Sequence, residues 1–464
     1  MSGMAYAQQE LKQCIEQAVS QANASQRPIL ASYSWEIEAT DMRSLEQGIE
    51  ERFYFATPDR SMRAIGFGIV QQLQASGTDR FLRIQSQWAN LNRDHVGHDL
   101  FAFSGFSFAE LKQPDYRWSS FGDASMTIPK FLFLEQDGQT RVTIFACVEP
   151  MDQVDSILNQ LALDFAKVNQ PQASTSSGVT RLRLSRDGNE AFEASFQQAM
   201  HYLETTLEKI VLAREVVYEL DRPLDVAAVV AELEDTQPGS YVFCFQPNPE
   251  EAFIGATPER LVQKRGRRLE TAAVAGSAPR HETDEMDEAL GQSLLQDQKN
   301  RMEHGIVADS IERTLSVFSE ELDCPDTPIL LKNRHIQHLY TPITARLKAD
   351  VTLFQLIEKL HPTPALGGEP KQLAVDAIQE IETFERGWYG SPVGWMNGQD
   401  DGEFIVAIRS GLFTERAVIL YAGCGLVEGS HLDSELAETE TKLSPMLQAL
   451  SHVGSIEKDD IYVD

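Results

Sequence analysis

Residues 189–220 read NEAFEASFQQAMHYLETTLEKIVLAREVVYEL, and a change of rhythm inside them decides the fold. Phe192, Phe196, Met200, Leu203 and Leu207 recur at helical spacing, so they share one face of a helix. From Lys209 the pattern becomes KIVLAREVVYEL, a β-branched run of the kind that forms a buried strand. A helix feeding straight into such a strand marks a mixed α+β or α/β chain. Downstream, strands are expected in YVFCFQ (241–246), EAFIGA (251–256), LVQKRGRRLETAAVA (261–275) and FIVAIRSGLF (404–413), the third broken by a Gly-bearing hairpin at Arg265 to Arg267. Helices are expected over about 284–318, 352–359, 372–382 and 433–450.

Upstream, a polar N-terminal helix leads to the alternating stretches SYSWEIEA (32–39) and TRVTIFACV (140–148), which read as strands. The small, polar run NQPQASTSSG at 169–178 places the main boundary, giving an α/β lobe over 1–178 and a second region over 179–464 that holds most of the chemistry-bearing residues. ATPDR at 56–60 returns as ATPER at 256–260, a likeness expected of a common Thr-Pro turn.

Lysine and arginine number 40 against 70 aspartates and glutamates, a net charge of −30 that repels nucleic acid and anionic lipid surfaces alike. A small anionic substrate then requires cations or a metal gathered at its site. Five cysteines without a Cys-x-x-Cys pair fit a reducing compartment, and no leader or apolar span is evident, so a cytoplasmic protein without membrane partners is expected.

Strand alternation sets Lys209, Val211 and Ala213 on one side and Ile210, Leu212 and Arg214 on the other. A lysine among apolar neighbours can serve as a general base, although at a strand start the pattern alone favours an ammonium reaching solvent. Glu259 sits in a Pro-containing turn, which ordinarily leaves a carboxylate in water; facing a closed cleft, it becomes a general acid. Glu303 shares a helical face with Ile306 and Val307, while Glu435, Glu438 and Lys442 share a face of the last helix. They read either as exposed ion pairs or as carboxylates converging on a hard cation such as magnesium. Gly423, Gly425 and Gly429 miss the dinucleotide fingerprint by one residue, but such glycines let an anion approach backbone N–H groups. G-x-S-x-G, H-E-x-x-H and Walker motifs are absent from the sequence. His335 and His338 read as one structural and one substrate-contacting histidine rather than a metal pair.

The ordered blocks KIVLAR, IGATPERL, ETAAVAGSAPR, KNRMEHGIVADSI, LHPTPALGGEPK, ERGWYGSPVGW, VAIRSGLF, AGCGLVEGS and SELAETETK resemble the signature blocks of the chorismate-utilising enzymes, spanning about Phe192 to Leu450. Within that family the likeness is greatest to the isochorismate synthases, and the long N-terminal half looks like the menaquinone-pathway form. The resemblance implies two large, mostly antiparallel β-sheets packed as a sandwich with helices outside. It further implies that Lys209 would activate water for attack at C2 of chorismate while Glu259 would protonate the departing C4 hydroxyl. Glu303 and Glu438 would ligate Mg²⁺, with Glu435 assisting through water. Arg409, Tyr389 and Lys442 would grip the enolpyruvyl carboxylate; Gly276, Ser277, Gly423 and Gly425 would form a backbone cradle; His338 would line the same cleft. Ala365 stands where anthranilate and salicylate relatives carry threonine, which fits an enzyme that stops at isochorismate; a salicylate, anthranilate or aminodeoxychorismate synthase is the alternative. Asn300 replaces an acidic residue common in relatives, and Ser277 replaces a threonine. No amidotransferase partner is expected, and a monomer is the working expectation.

Overall fold

The computed structural model describes residues 2–38, 51–111, 116–168, 179–332 and 336–457; the expected boundary at 169–178 and His335 lie outside them. Two mostly antiparallel sheets make the frame. The first runs in the order Val96–Gly97, Ile29–Ile37, Gln139–Val148, Ala124–Gln136, Met62–Ala75, Arg52–Ala56, Tyr241–Asn248, Glu251–Thr257, Ser410–Thr414, Ala417–Leu426, Lys209–Leu220, Thr180–Arg186, Gly454–Ile456. Only its two outermost pairings are parallel. The N-terminal half of Ala124–Gln136 also pairs with Phe101–Phe106, which opens the second sheet. That sheet continues through Pro392–Asn397, Gly402–Val406, Arg260–Arg265, Arg268–Pro279 and Ile336–Leu347.

Alternation along the strands sorts side chains into two layers. Phe53 and Phe55, with Phe243 and Phe245, join Phe103 and Phe404 of the second sheet in the core between the sheets. Their neighbours Tyr54, Ala56, Val242 and Cys244 face the other way, into a core shared with Leu11 and Ile15 of helix Ser2–Ser25, Val229 and Leu233 of helix Val226–Thr236, and Met446 of helix Leu432–Val453. Helix Asn189–Thr205 leads into strand Lys209–Leu220, as the opening stretch demands. No helix among the described residues is long and apolar enough to cross a membrane.

Two expected elements divide. FIVAIRSGLF is not one strand: Gly402–Val406 belongs to the second sheet and Ser410–Thr414 to the first, and Arg409 between them has φ +51. A left-handed arginine costs about 1–2 kcal/mol, and here it carries the chain from one sheet to the other. The helix expected over 284–318 is two, Asp284–Gln296 and Gln298–Ser316. Asp297 breaks it because its extended backbone lets the carboxylate accept from Asn300 N at 2.8 Å, capping the second helix.

Candidate active site

Elements from both sheets meet at a cavity of about 220 Å³, and every residue to which the resemblance assigns a role lines it, whereas Gly429 does not. Lys209, Val211 and Ala213 contribute one wall from strand Lys209–Leu220, the face that alternation assigns them. Lys209 does not reach solvent. It is 1% exposed, and its Nζ donates to Glu303 Oε1 at 2.8 Å. Gly425, paired with Val211 on the neighbouring strand, leaves the room for this ion pair: a Cβ there would stand 2.7 Å from Glu303 Oε1 and 2.9 Å from Lys209 Cε. Gly423 lies beside the Tyr389 hydroxyl, and its carbonyl accepts from Lys442 Nζ at 2.8 Å.

Glu259 closes another side and is buried, not solvated. Its backbone is pinned, N–H to Thr257 Oγ1 at 3.2 Å and carbonyl from Val406 N at 3.0 Å. Burial pushes its carboxyl up to about 7 despite the opposing pull of Arg409, Lys209 and Lys442. Gly276, at φ +75, sits at a register shift in strand Arg268–Pro279, packed against Asn300. Ser277 N donates to Asn300 Oδ1 at 3.2 Å, and Ser277 Oγ bonds His338 Nδ1 at 2.9 Å. Burial, then the charges of Arg409 and Lys442, push His338 down to about 3, so its ring is neutral; its buried Nε2 has no partner among the described residues.

The cations and carboxylates are arranged unevenly. Lys442 Nζ lies 2.6 Å from Glu438 Oε1, and Lys299 Nζ 3.6 Å from Glu435 Oε1. Burial raises the Glu435 carboxyl above its ordinary value, and the nearby charges of Glu438 and Glu303 add to the rise. Burial acts on Glu438 in the same direction, but Lys442, joined by Arg409, opposes it, and the net effect holds that carboxyl low. Arg409 is buried and lowered by desolvation against the attraction of Tyr389, Glu259 and Glu438. Its guanidinium makes no hydrogen bond or ion pair among the described residues. A desolvated, uncommitted cation is a ready anion grip. Among the described residues no three His, Cys, Asp or Glu side chains stand close enough to hold a metal ion as they are; the three glutamates each carry a lysine partner.

Ala365 and Leu366 reach the cavity from the segment before Gly368–Glu369, which pairs with Ile210 and Lys209. Sequence reasoning passed over Leu366, Lys299, Ser434 and Arg386, all of which line the cavity. Arg386 stands in the quoted block ERGWYGSPVGW, and an arginine three residues before Tyr389 was the available signal.

An acid held near neutral pH, a buried amine and an unpaired guanidinium around one cavity define an enzyme for a small anion. The chain belongs to the family of chorismate binding enzymes, whose pattern it matches over residues 14–451. It is 34% identical to isochorismate synthase MenF of Bacillus subtilis over 452 residues, 93% of this chain and 96% of that protein. It is likewise 34% identical to the salicylate biosynthesis isochorismate synthase of Pseudomonas aeruginosa, over 97% and 96% of the two chains. The solved structure of the menaquinone-specific isochorismate synthase MenF from Escherichia coli superposes with a TM-score of 0.78 at 25% identity, covering 95% of this chain and 99% of that one.

Proposed function

We propose that the protein is an isochorismate synthase that converts chorismate reversibly to isochorismate by adding water at C2 and losing the C4 hydroxyl. The observation that carries this reading is the buried Glu259, raised to about 7, on the same cavity as buried Lys209. A carboxyl poised there is available as a proton donor near neutral pH. In this reading Lys209 takes the proton from the attacking water, and Glu259 gives its proton to the C4 oxygen as that bond breaks. The hydroxide added at one ring carbon and the water lost at the other balance, so no oxidant or amine is required. Arg409 and Lys442 bind the enolpyruvyl carboxylate with Tyr389, the Gly276–Ser277 and Gly423–Gly425 backbone cradles the substrate, and neutral His338 lines the ring's surroundings.

The acidic corner suits a divalent cation through its donor chemistry. Glu303, Glu435 and Glu438 offer only hard oxygens, and burial, with repulsion from Glu438 and Glu303 added, raises the Glu435 carboxyl, an unfavourable gathering of carboxylates that such a cation relieves. Glu303 and Glu438 would hold Mg²⁺, with Glu435 assisting. The ion would supply charge neutralisation for the substrate's ring carboxylate.

Alanine at Ala365 leaves no hydroxyl in that wall, which supports an enzyme that stops at isochorismate. The MenF likenesses support menaquinone synthesis as the product's destination. Incubation with chorismate and Mg²⁺ followed by product identification tests the reading: isochorismate is expected, and pyruvate release, or an aminated product with ammonia, would replace it with the salicylate or anthranilate alternative.

A further inference from the structure

We propose that Arg386 and Glu382 are a positioning pair for this reaction, holding the strand that carries Lys209 in register with the segment that carries Ala365. The inference rests on the isochorismate synthase reading above and adds to it two residues to which neither the resemblance nor the charge pattern assigned a role.

Strand Lys209–Leu220 is fully paired on one edge, where Ile210 to Glu219 face Ala417–Leu426. On its other edge Gly368 and Glu369 pair with Ile210 and Lys209, and Thr180–Arg186 joins only from Val217 onward. Between them no strand covers the edge among the described residues, yet buried backbone groups there need partners. Val211 N donates to Gly367 O at 2.9 Å. Val211 O accepts from Arg386 Nη2 at 2.6 Å, and Ala213 N donates to Glu382 Oε1 at 2.7 Å. A pair of side chains thus stands in for a strand, two and four residues beyond Lys209.

The same arginine reaches the opposite wall. Arg386 Nη1 donates to Leu366 O at 3.0 Å, next to Ala365, while Nε donates to Glu382 Oε2 at 2.8 Å. All three of its nitrogens are therefore spent on the protein, and both side chains are almost wholly buried, 3% and 2% exposed. Arg409, on the same cavity, is the reverse case, a guanidinium without hydrogen bond or ion pair among the described residues. One arginine is free to grip substrate; the other fixes the walls. The N-terminal half backs this bolt: Phe108 lays its ring under the Arg386 guanidinium at 4.3 Å, its N–H donates to Gly387 O at 2.7 Å, and the Trp118 indole fills the space beside Gly387, where φ is +55.

If the pair sets where Lys209 sits, loosening it moves the amine relative to the ring while leaving the carboxylate grip alone. The test first establishes that wild-type enzyme forms isochorismate from chorismate and Mg²⁺; failure there defeats the functional reading and not the pair. Glu382→Gln keeps an acceptor for Ala213 N but drops the charge, Arg386→Lys keeps the charge but drops the planar fork, and Arg386→Ala opens a space for added guanidinium. Rates are expressed per folded molecule, from circular dichroism at the assay temperature. We expect kcat of Arg386→Lys to fall about 10²-fold with KM within about threefold, the smaller loss in Glu382→Gln, and recovery of about tenfold in Arg386→Ala on adding non-denaturing guanidinium. Wild-type kcat per folded molecule in these variants overturns the proposal. So does a rise confined to KM, which would make Arg386 a substrate grip, and so does failure of all three variants to fold, which would assign the pair to stability alone.

Discussion

The chain carries the same short motif twice and folds it differently: 58–61 make the hairpin turn between Arg52–Ala56 and Met62–Ala75, with Arg60 at φ +57, whereas 258–259 link Glu251–Thr257 of the first sheet to Arg260–Arg265 of the second. ATPDR at 56–60 and ATPER at 256–260 each end a strand beside Tyr241–Asn248, one on either edge, and Ala56 and Ala256 both sit opposite Val242. Thr57 and Thr257 are both buried, and both arginines turn to glutamates, Arg60 to Glu234 and Arg260 to Glu270 and Glu403. The acids part company. Asp59 is exposed and accepts from Ser61 Oγ at 2.7 Å and Thr57 Oγ1 at 2.8 Å, bonds that hold it below the usual carboxylate range. Glu259 is 8% exposed and rises to about 7. Local sequence sets where each carboxyl starts; what closes over it sets its protonation. Water covers the acid of the hairpin turn, and segments from several distant parts of the chain cover the acid of the link between the sheets.

The sharpest way to break this contrast is to neutralise each acid. Glu259→Gln and Lys209→Ala should each lower isochorismate formation by about 10²- to 10⁴-fold with the fold retained. Asp59→Asn should leave the rate at the wild-type level, and a comparable loss there would end the distinction between the two motif copies. A smaller effect is expected from Gly425→Ala, whose methyl must displace the Lys209–Glu303 pair: about 10- to 10²-fold in kcat. Gly305→Ala is its control, because nothing lies within 4 Å of a Cβ at that helical position, two residues from Glu303; it should keep activity and gain a little stability.

The pH profile sharpens the comparison further. With Glu259 near 7 in the free protein, the protonated acid is lost as pH rises, so forward kcat/KM should fall about tenfold per unit above neutrality. In Glu259→Gln the residual rate should not show this descending limb. A limb that persists in the variant assigns the titration to another group.

How much of this was legible follows from which forces are local. The helix-to-strand switch at Lys209, the hairpin at Gly266 and the strands from Tyr241 to Thr257 are written in periodicity and turn chemistry, and they stand where expected. The single strand across 404–413 failed because apolar, strand-forming residues stand on both sides of the short interruption Arg409–Ser410–Gly411; nothing in the letters marks Arg409 as left-handed. The burial of Lys209 was equally invisible. Its strand start looks solvated until Glu303, 94 residues away, supplies a partner and Gly425 supplies the space. Arg386 went unnoticed for a related reason: its acceptors Val211 O and Leu366 O are backbone atoms, which leave no trace in residue type.

The smallest expected effect is on stability, and it has opposite signs in the two motif copies. For Glu259 the folded-state value, about 7, lies above the ordinary 4.5, so the neutral form is favoured and burial is tolerated fully in acid. As pH rises from 4.5 through 7 that advantage is lost, at a cost on the order of 3 kcal/mol above about pH 8 in the metal- and substrate-free protein. Glu259→Gln should therefore match wild-type Tm in acid and exceed it by a few degrees in base. Asp59 is shifted the other way, below 3.8, so its contribution is present above that value and disappears as pH falls through the folded-state pKa. Asp59→Asn should lower Tm slightly at neutral pH and approach wild type only in strong acid. Thermal melts of both variants across pH decide the matter: curves of the same sign would mean that the coverage of Glu259 does not control its carboxyl.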